Sequence, residues 1–222
     1  MRSRVGCRWA SLSVILLLFG VGPARAQTPT PASPAPQPTA PPAFDVTPLF
    51  EVGTQEWMAT AGNAWGVVLF HSAAGHRYAM QTLSWGRVLS KARFPGRLRG
   101  RFEWAFEVVP VYGQYQPHRV YGFGFTPLVW RWNFEPRGRY APYAELAGGA
   151  LWTSNPVPDN TTTANFTAHL GAGLRVFMRS RQALVIGYRF DHISNGNRLE
   201  RNPGVNAQGL QVGWSYFRPL RP

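Results

Sequence analysis

The sequence has almost no cysteine and no long apolar run in its main part, and both absences exclude kinds of structure. The single cysteine, Cys7, lies in the N-terminal segment that reads as an export signal, so the mature chain has no disulfide and no cysteine metal ligand. An exported fold without disulfides must rest on an ample core or on a closed sheet. After the signal, no stretch reaches about 18 uninterrupted apolar residues, which excludes helical membrane spans.

The N-terminal region predicts export followed by a spacer. In residues 1–26 a start rich in arginine precedes the apolar segment "SLSVILLLFGVG", and small residues lead to a cleavage site after Ala26, as in a secretory signal peptide. Residues 27–43 are rich in Pro, Ala and Thr and predict an extended periplasmic linker. Residues 44–222 then have the length of a single domain.

The mature chain is basic. The signal carries four arginines and no acidic residue, so its removal lowers the formal net charge from +13 to +9. A basic exported protein suits an anionic partner such as lipid headgroups or lipopolysaccharide phosphates. Arginine inside a barrel or along its turns gives the same total, and the sequence leaves both interpretations open. The basic residues are not clustered as nucleic-acid binding requires, so no nucleic-acid partner is expected.

The domain shows no persuasive helical period but many runs in which every second residue is apolar. In "RFEWAFEVVPVY", Phe102, Trp104 and Phe106 share one face, and Glu103 and Glu107 share the other. Eight such runs are present, at about 51–70, 77–90, 100–112, 120–133, 140–153, 163–178, 182–194 and 206–217. Their length and their aromatic apolar faces predict an all-β fold, an eight-stranded antiparallel transmembrane β-barrel of the bacterial outer membrane. The alternative is a soluble antiparallel barrel.

The connections between the runs support the membrane interpretation. The second, fourth and sixth links are mostly short and basic, whereas the third, fifth and seventh are polar and mostly longer. Outer-membrane barrels have short periplasmic turns and longer extracellular loops, and an even strand number places both termini in the periplasm. A closed sheet is needed because an open edge in lipid leaves backbone groups unpaired at several kcal/mol each.

The end of the seventh run, "YRFDHIS", carries the candidate chemistry. By the two-residue period His192 and Ser194 continue the lipid-facing row, while Arg189 and Asp191 face the lumen. An imidazole and a hydroxyl on one face can act as a base and a serine nucleophile for acyl transfer. The competing interpretation is that both residues are polar members of the interfacial rim, where such residues are ordinary.

The segment "HISN" at 192–195, followed by "NPG" at 202–204 and a final apolar strand, resembles the outer-membrane lipid A 3-O-deacylase (PagL-like) family. The resemblance is specific over about 30 residues. It implies an eight-stranded barrel that hydrolyses an ester of lipid A, with His192 as the base and Ser194 as the nucleophile. It also implies that Asn202 stabilises the oxyanion. The expected partners are lipid A, or lipopolysaccharide, and the outer membrane; no cofactor and no metal is expected, and the oligomeric state is left open.

One position departs from that family's pattern. An acid twelve residues after the nucleophile orients the histidine in the family, but this chain has Asn206 there. The oxygen of Asn206 can still accept the histidine N–H and fix its tautomer, although it cannot stabilise an imidazolium by charge. Glu200 is the alternative acid. A structural or adhesive barrel whose catalytic apparatus has decayed, and a lipid A acyltransferase, are the rival functions.

Overall fold

The computed structural model describes residues Asp45–Leu220, which form a closed barrel of eight antiparallel strands. The strands are β1 (Gln55–Gly66), β2 (Arg77–Val88), β3 (Gly100–Gln116), β4 (Val120–Phe134), β5 (Tyr140–Thr153), β6 (Ala164–Arg179), β7 (Gln182–Ser194) and β8 (Val205–Arg218). Each strand pairs with its neighbours in sequence, and β1 pairs with β8 to close the sheet. The predicted all-β eight-stranded barrel is confirmed. The predicted signal peptide and linker, residues 1–43, lie outside the described residues.

The barrel is apolar on its outer surface and charged inside. On β3, Glu103 and Glu107 are buried while Phe102, Trp104 and Phe106 are partly exposed. This is the reverse of a soluble barrel and is the pattern expected where the outer surface meets lipid. Among residues 45–220, no helix has both the length and the apolar character needed to cross a membrane.

Buried ion pairs fill the interior. Three arginines lie among four glutamates: Arg131, Arg175 and Arg189, with Glu56, Glu103, Glu107 and Glu145. Arg131 alone contacts three of the carboxylates, at 2.7 to 3.2 Å. Buried charges of both signs, held by hydrogen bonds, thus share the interior with clusters of apolar side chains. Part of the arginine content that makes the sequence basic therefore lies inside the barrel.

The N-terminal end of β1 differs from the prediction. The run predicted at 51–70 is a strand only over Gln55–Gly66, and a 3-10 helix at Thr47–Phe50 precedes it. Phe50 is fully buried, and its ring centroid lies 5.2 Å from that of Phe217 near the end of β8. The apolar residues before β1 thus close one mouth of the barrel instead of extending the sheet.

The predicted length difference between the two sets of links fails at one hairpin. β3 continues to Gln116, so only residues 117–119 join it to β4, whereas the preceding link spans residues 89–99. The extension follows from pairing, since β3 runs beside β2 as far as Arg77 and accommodates the extra length with register shifts. The fifth and seventh links, residues 154–163 and 195–204, remain long.

Candidate active site

The end of β7 is held by its inward-facing side chains. Asp191 accepts a hydrogen bond from the Tyr78 hydroxyl at 2.8 Å inside the barrel, and Ile193 is buried in an apolar cluster beneath the loops. Because successive side chains of a strand point to opposite faces, these two anchors turn His192 and Ser194 outward. Both outward residues are partly buried, at the end of β7 that adjoins the 195–204 loop.

Asn206 contacts the imidazole directly. It is the partner of His192 in the β7–β8 register, and its Oδ1 lies 2.7 Å from His192 Nδ1. The amide nitrogen of Asn206 donates to the carbonyl oxygen of Leu69 at 2.9 Å. With the nitrogen so engaged, the oxygen faces the ring, and Nδ1 must carry the proton that it accepts. In the neutral ring this tautomer leaves the other nitrogen, Nε2, free to accept a proton.

Ser194 lies beside an aromatic ring and a cation. In the β6–β7 register its partner is Phe166, an outward-facing residue. The guanidinium of Arg198 lies over the Phe166 ring, 5.1 Å from its centroid. Within residues 45–220 no hydrogen bond joins the Ser194 hydroxyl to His192, although the two side chains share a face. The nucleophile is thus next to an apolar surface bordered by a positive charge.

Gly204 packs directly against the pair, a contact that the sequence did not predict. Its φ is +64°, and a Cβ there would lie 3.0 Å from His192 Cε1 and 3.6 Å from Ser194 Cβ. Only glycine combines this backbone conformation with so close an approach. The signal was present in the sequence as the Pro-Gly pair at 203–204, a turn motif, but its nearness to His192 depends on how the loop folds back.

The loop between β1 and β2, residues 67–76, was also missed as part of the site. It pairs with the segment that carries Asn206, since Val67 N–H donates to the Asn206 carbonyl at 2.8 Å. Its far end contains His76, which is buried with Nδ1 3.0 Å from the Ala74 carbonyl oxygen. Burial lowers the pKa of His76, which favours the neutral ring. Ala73 N–H also donates to the Gly204 carbonyl at 2.9 Å, so the loop is bonded on both sides to the segment that carries Asn206.

The remaining predicted residues lie in the 195–204 loop. Asn202 folds this loop: its Oδ1 accepts the Asn195 N–H at 3.0 Å, and its Nδ2 donates to Asn197 Oδ1 at 2.8 Å. Glu200 is exposed, and within residues 45–220 no hydrogen bond or ion pair joins it to His192. The geometry therefore brings together His192, Ser194 and Asn206, with Asn202 nearby in the chain and Glu200 without contact to the ring.

In the described part of the chain, no group of three or more His, Asp or Glu side chains is arranged to hold a metal ion.

The sequence matches the family described as lipid A 3-O-deacylase (PagL) over residues 61–215, which is more than half of the chain and includes His192, Ser194 and Asn206. The chain belongs to this family. As a PagL family member it is a bacterial outer-membrane barrel of the lipid A deacylase type. The predicted family and location are confirmed.

Solved structures similar to this PagL family chain include three that are distant in sequence. The crystal structure of the outer membrane enzyme PagL is 17% identical, with a TM-score of 0.45, and the match covers 71% of this chain and 97% of that chain. Neisserial surface protein A is 14% identical, with a TM-score of 0.46 and coverages of 76% and 99%. The N-terminal β-barrel domain of Pseudomonas aeruginosa OprF is 16% identical, with a TM-score of 0.43 and coverages of 74% and 98%. A search of curated proteins found no match.

Proposed function

We propose that this chain is an outer-membrane serine esterase that hydrolyses the ester-linked acyl chain at the 3-O position of lipid A. The observation that carries the proposal is the 2.7 Å contact between His192 Nδ1 and Asn206 Oδ1, on the face that also presents Ser194. A histidine in the interfacial rim needs no particular hydrogen-bond partner, whereas a histidine that acts as a general base needs an acceptor at one ring nitrogen to set its tautomer. The membership of the PagL family supplies the substrate class.

The reaction proceeds through an acyl-enzyme. Ser194 Oγ attacks the ester carbonyl carbon as its proton passes to His192 Nε2. Collapse of the tetrahedral intermediate breaks the bond to the sugar oxygen, which takes the proton from the imidazolium and leaves as an alcohol. Water, deprotonated by the same nitrogen, then attacks the serine ester; the bond to Ser194 Oγ breaks, Oγ takes the proton back from His192, and the fatty acid is released. The hydrogen bond from Ser194 to His192 forms when substrate excludes water from the face.

Asn206 is the orienting member in this mechanism. It holds the Nδ1–H tautomer, which leaves Nε2 free as the base, but as a neutral amide it adds no charge stabilisation to the imidazolium. Glu200 is not needed for orientation, because Asn206 already occupies Nδ1. Asn202 donates its amide N–H to the developing oxyanion after releasing Asn197, its hydrogen-bond partner in the 195–204 loop.

The surroundings of Ser194 suit an acyl chain attached to an anionic headgroup. Phe166 offers an apolar surface next to the nucleophile, and the Arg198 guanidinium lies over the face of that ring. An acyl chain can lie along the aromatic surface while the guanidinium binds a phosphate of the headgroup. The long 195–204 loop also lies on the side of the barrel where outer-membrane proteins meet the lipid A leaflet.

Mass spectrometry of lipid A tests the proposal. Cells that produce the wild-type chain should lose one hydroxyacyl chain from lipid A, and cells that produce Ser194→Ala should not. Ser154→Ala, which removes a serine hydroxyl from another long loop, is the matched control and should remain active. Unchanged lipid A with a folded wild-type barrel would favour the structural rival, and gain of an acyl chain would favour the acyltransferase.

A further inference from the structure

We infer that the carbonyl oxygen of Leu69, presented by a tight turn in the 67–76 loop, is the positioning group that locks the Asn206 amide in its productive orientation. The inference rests on the proposed function and explains how the site operates with an amide where the family pattern has an acid. It makes Leu69 a positioning residue, since its carbonyl acts through Asn206 and does not touch the reacting atoms.

An amide needs a lock that a carboxylate does not. Either oxygen of a carboxylate can accept the Nδ1–H of the histidine, so its rotation changes nothing. If the Asn206 amide turned over, its NH₂ group would face His192 Nδ1, which would then have to be the unprotonated nitrogen. The proton would move to Nε2, and Nε2 could no longer take the proton of Ser194. The wrong tautomer is the main reason that an acid-to-amide change costs activity in serine hydrolases.

The Leu69 carbonyl opposes that rotation. It accepts the Asn206 Nδ2–H at 2.9 Å in the observed orientation. In the reversed orientation the Asn206 oxygen would face the Leu69 oxygen at a similar distance, and two acceptors would oppose each other with no proton between them. The productive orientation of the amide is therefore stabilised by a hydrogen bond, and the reversed orientation is destabilised by repulsion between the two oxygens.

The turn holds this carbonyl in place. Leu69 O also accepts the Ser72 N–H at 3.0 Å, which closes a four-residue turn. The two central residues, Phe70 and His71, have φ values of +52° and +63°. Positive φ at both central positions normally selects Asn or Gly, and bulky side chains adopt it only where surrounding contacts enforce it. Here the Ser72 hydroxyl donates to the Val67 carbonyl at 3.1 Å and accepts from the Leu69 N–H at 3.2 Å.

Both sides of the turn are also bonded to the segment that carries Asn206. Val67 N–H donates to the Asn206 carbonyl at 2.8 Å, and Ala73 N–H donates to the Gly204 carbonyl at 2.9 Å. The loop and the strand start therefore form one hydrogen-bonded unit. A backbone conformation that the sequence disfavours is maintained at the point where its carbonyl meets a functional amide, as expected if the strain serves the site.

Two substitutions of the exposed residue His71 separate the turn from its side chain. Proline fixes φ near −65° and cannot adopt the observed +63°, whereas glycine adopts it freely. Both variants remove the imidazole, so they differ only in the turn. We expect kcat of purified His71→Pro to fall about fivefold, the equivalent of roughly one net hydrogen bond, with KM unchanged, and His71→Gly to match wild type. In an Asn206→Glu background, His71→Pro should have no effect, because a carboxylate needs no lock.

Nitrogen NMR of the histidine ring gives a readout independent of activity. The signals of His192, assigned by their loss in His192→Asn, should report Nδ1–H in wild type and His71→Gly and a mixture of tautomers in His71→Pro. Wild-type protein that does not deacylate lipid A would end the proposed function, yet this measurement would still test the lock. An unchanged tautomer in folded His71→Pro, or an equal loss of kcat with and without the Asn206→Glu substitution, would overturn the inference.

Discussion

Gly204→Ala is the substitution whose effect follows most directly from the structure. The new Cβ would lie 3.0 Å from His192 Cε1, tighter than an ordinary van der Waals contact, so the ring or the loop must move by a few tenths of an ångström. A misplacement of about 1 Å in a catalytic group costs about 100-fold in rate, so this smaller shift predicts a loss of about threefold to tenfold in kcat. The positive φ of Gly204 adds a conformational cost of about 1–2 kcal/mol to folding.

A matched control separates the two effects. Gly96 has nearly the same φ, +62°, but a Cβ there meets no atom within 4 Å, and it lies in the 89–99 link on the side opposite the candidate site. Gly96→Ala should therefore show the folding cost without the loss of kcat. Two quantities are measured. One is kcat for release of fatty acid from lipid A in detergent, and the other is the temperature to which samples must be heated before the folded band disappears on a gel.

Either of two results would refute this reasoning. A Gly204→Ala protein with wild-type kcat would show that the contact with His192 does not constrain the reacting geometry. An equal loss of kcat in Gly96→Ala would show that loop strain, and not the contact, controls activity. Both variants are expected to give less folded protein, so the rate is divided by the intensity of the folded band.

Three further predictions follow from the site and the interior. Asn206→Ala should lower kcat, and Asn206→Glu should preserve or raise it by adding charge to the orienting group. Equal rates in wild type and both variants would exclude Asn206 as the orienting residue and make Glu200→Ala the next test. Ser194→Ala and His192→Asn should each abolish deacylation in a folded barrel, with the double variant no worse; persistent activity of Ser194→Ala would end the catalytic assignment. Arg131→Met should leave buried carboxylates unpaired and destabilise the barrel by about 3–5 kcal/mol. The folded band should then disappear from gels at a lower sample temperature, with kcat per folded molecule unchanged. An unaltered transition temperature would show that the ion pairs are dispensable.

Most of the fold could be predicted because a barrel strand is a local pattern. The two-residue period places apolar side chains outward and charged ones inward along each strand, and seven of the eight strands begin within one residue of their predicted starts. The exception, β1, shows the limit. The run predicted to begin at residue 51 becomes a strand only at Gln55, and Phe50, just before the predicted start, packs among aromatic rings at the barrel mouth. That choice depends on distant residues such as Phe217, which no local pattern reveals.

The sequence by itself determined the barrel, its outward row and the His192–Ser194 pair, because these follow from the two-residue period along the strands, while the resemblance to the lipid A deacylase family marked Asn206 as a candidate. Only the tertiary structure decided which atom of Asn206 faces the imidazole. That orientation depends on the Leu69 carbonyl, 137 positions away in the chain. The carbonyl belongs to the backbone and carries no sequence signature, and the closing of β1 against β8 brings it to the site. The residue types at the site can therefore be read from local sequence, whereas the direction of the hydrogen bond between Asn206 and His192 depends on the closed barrel.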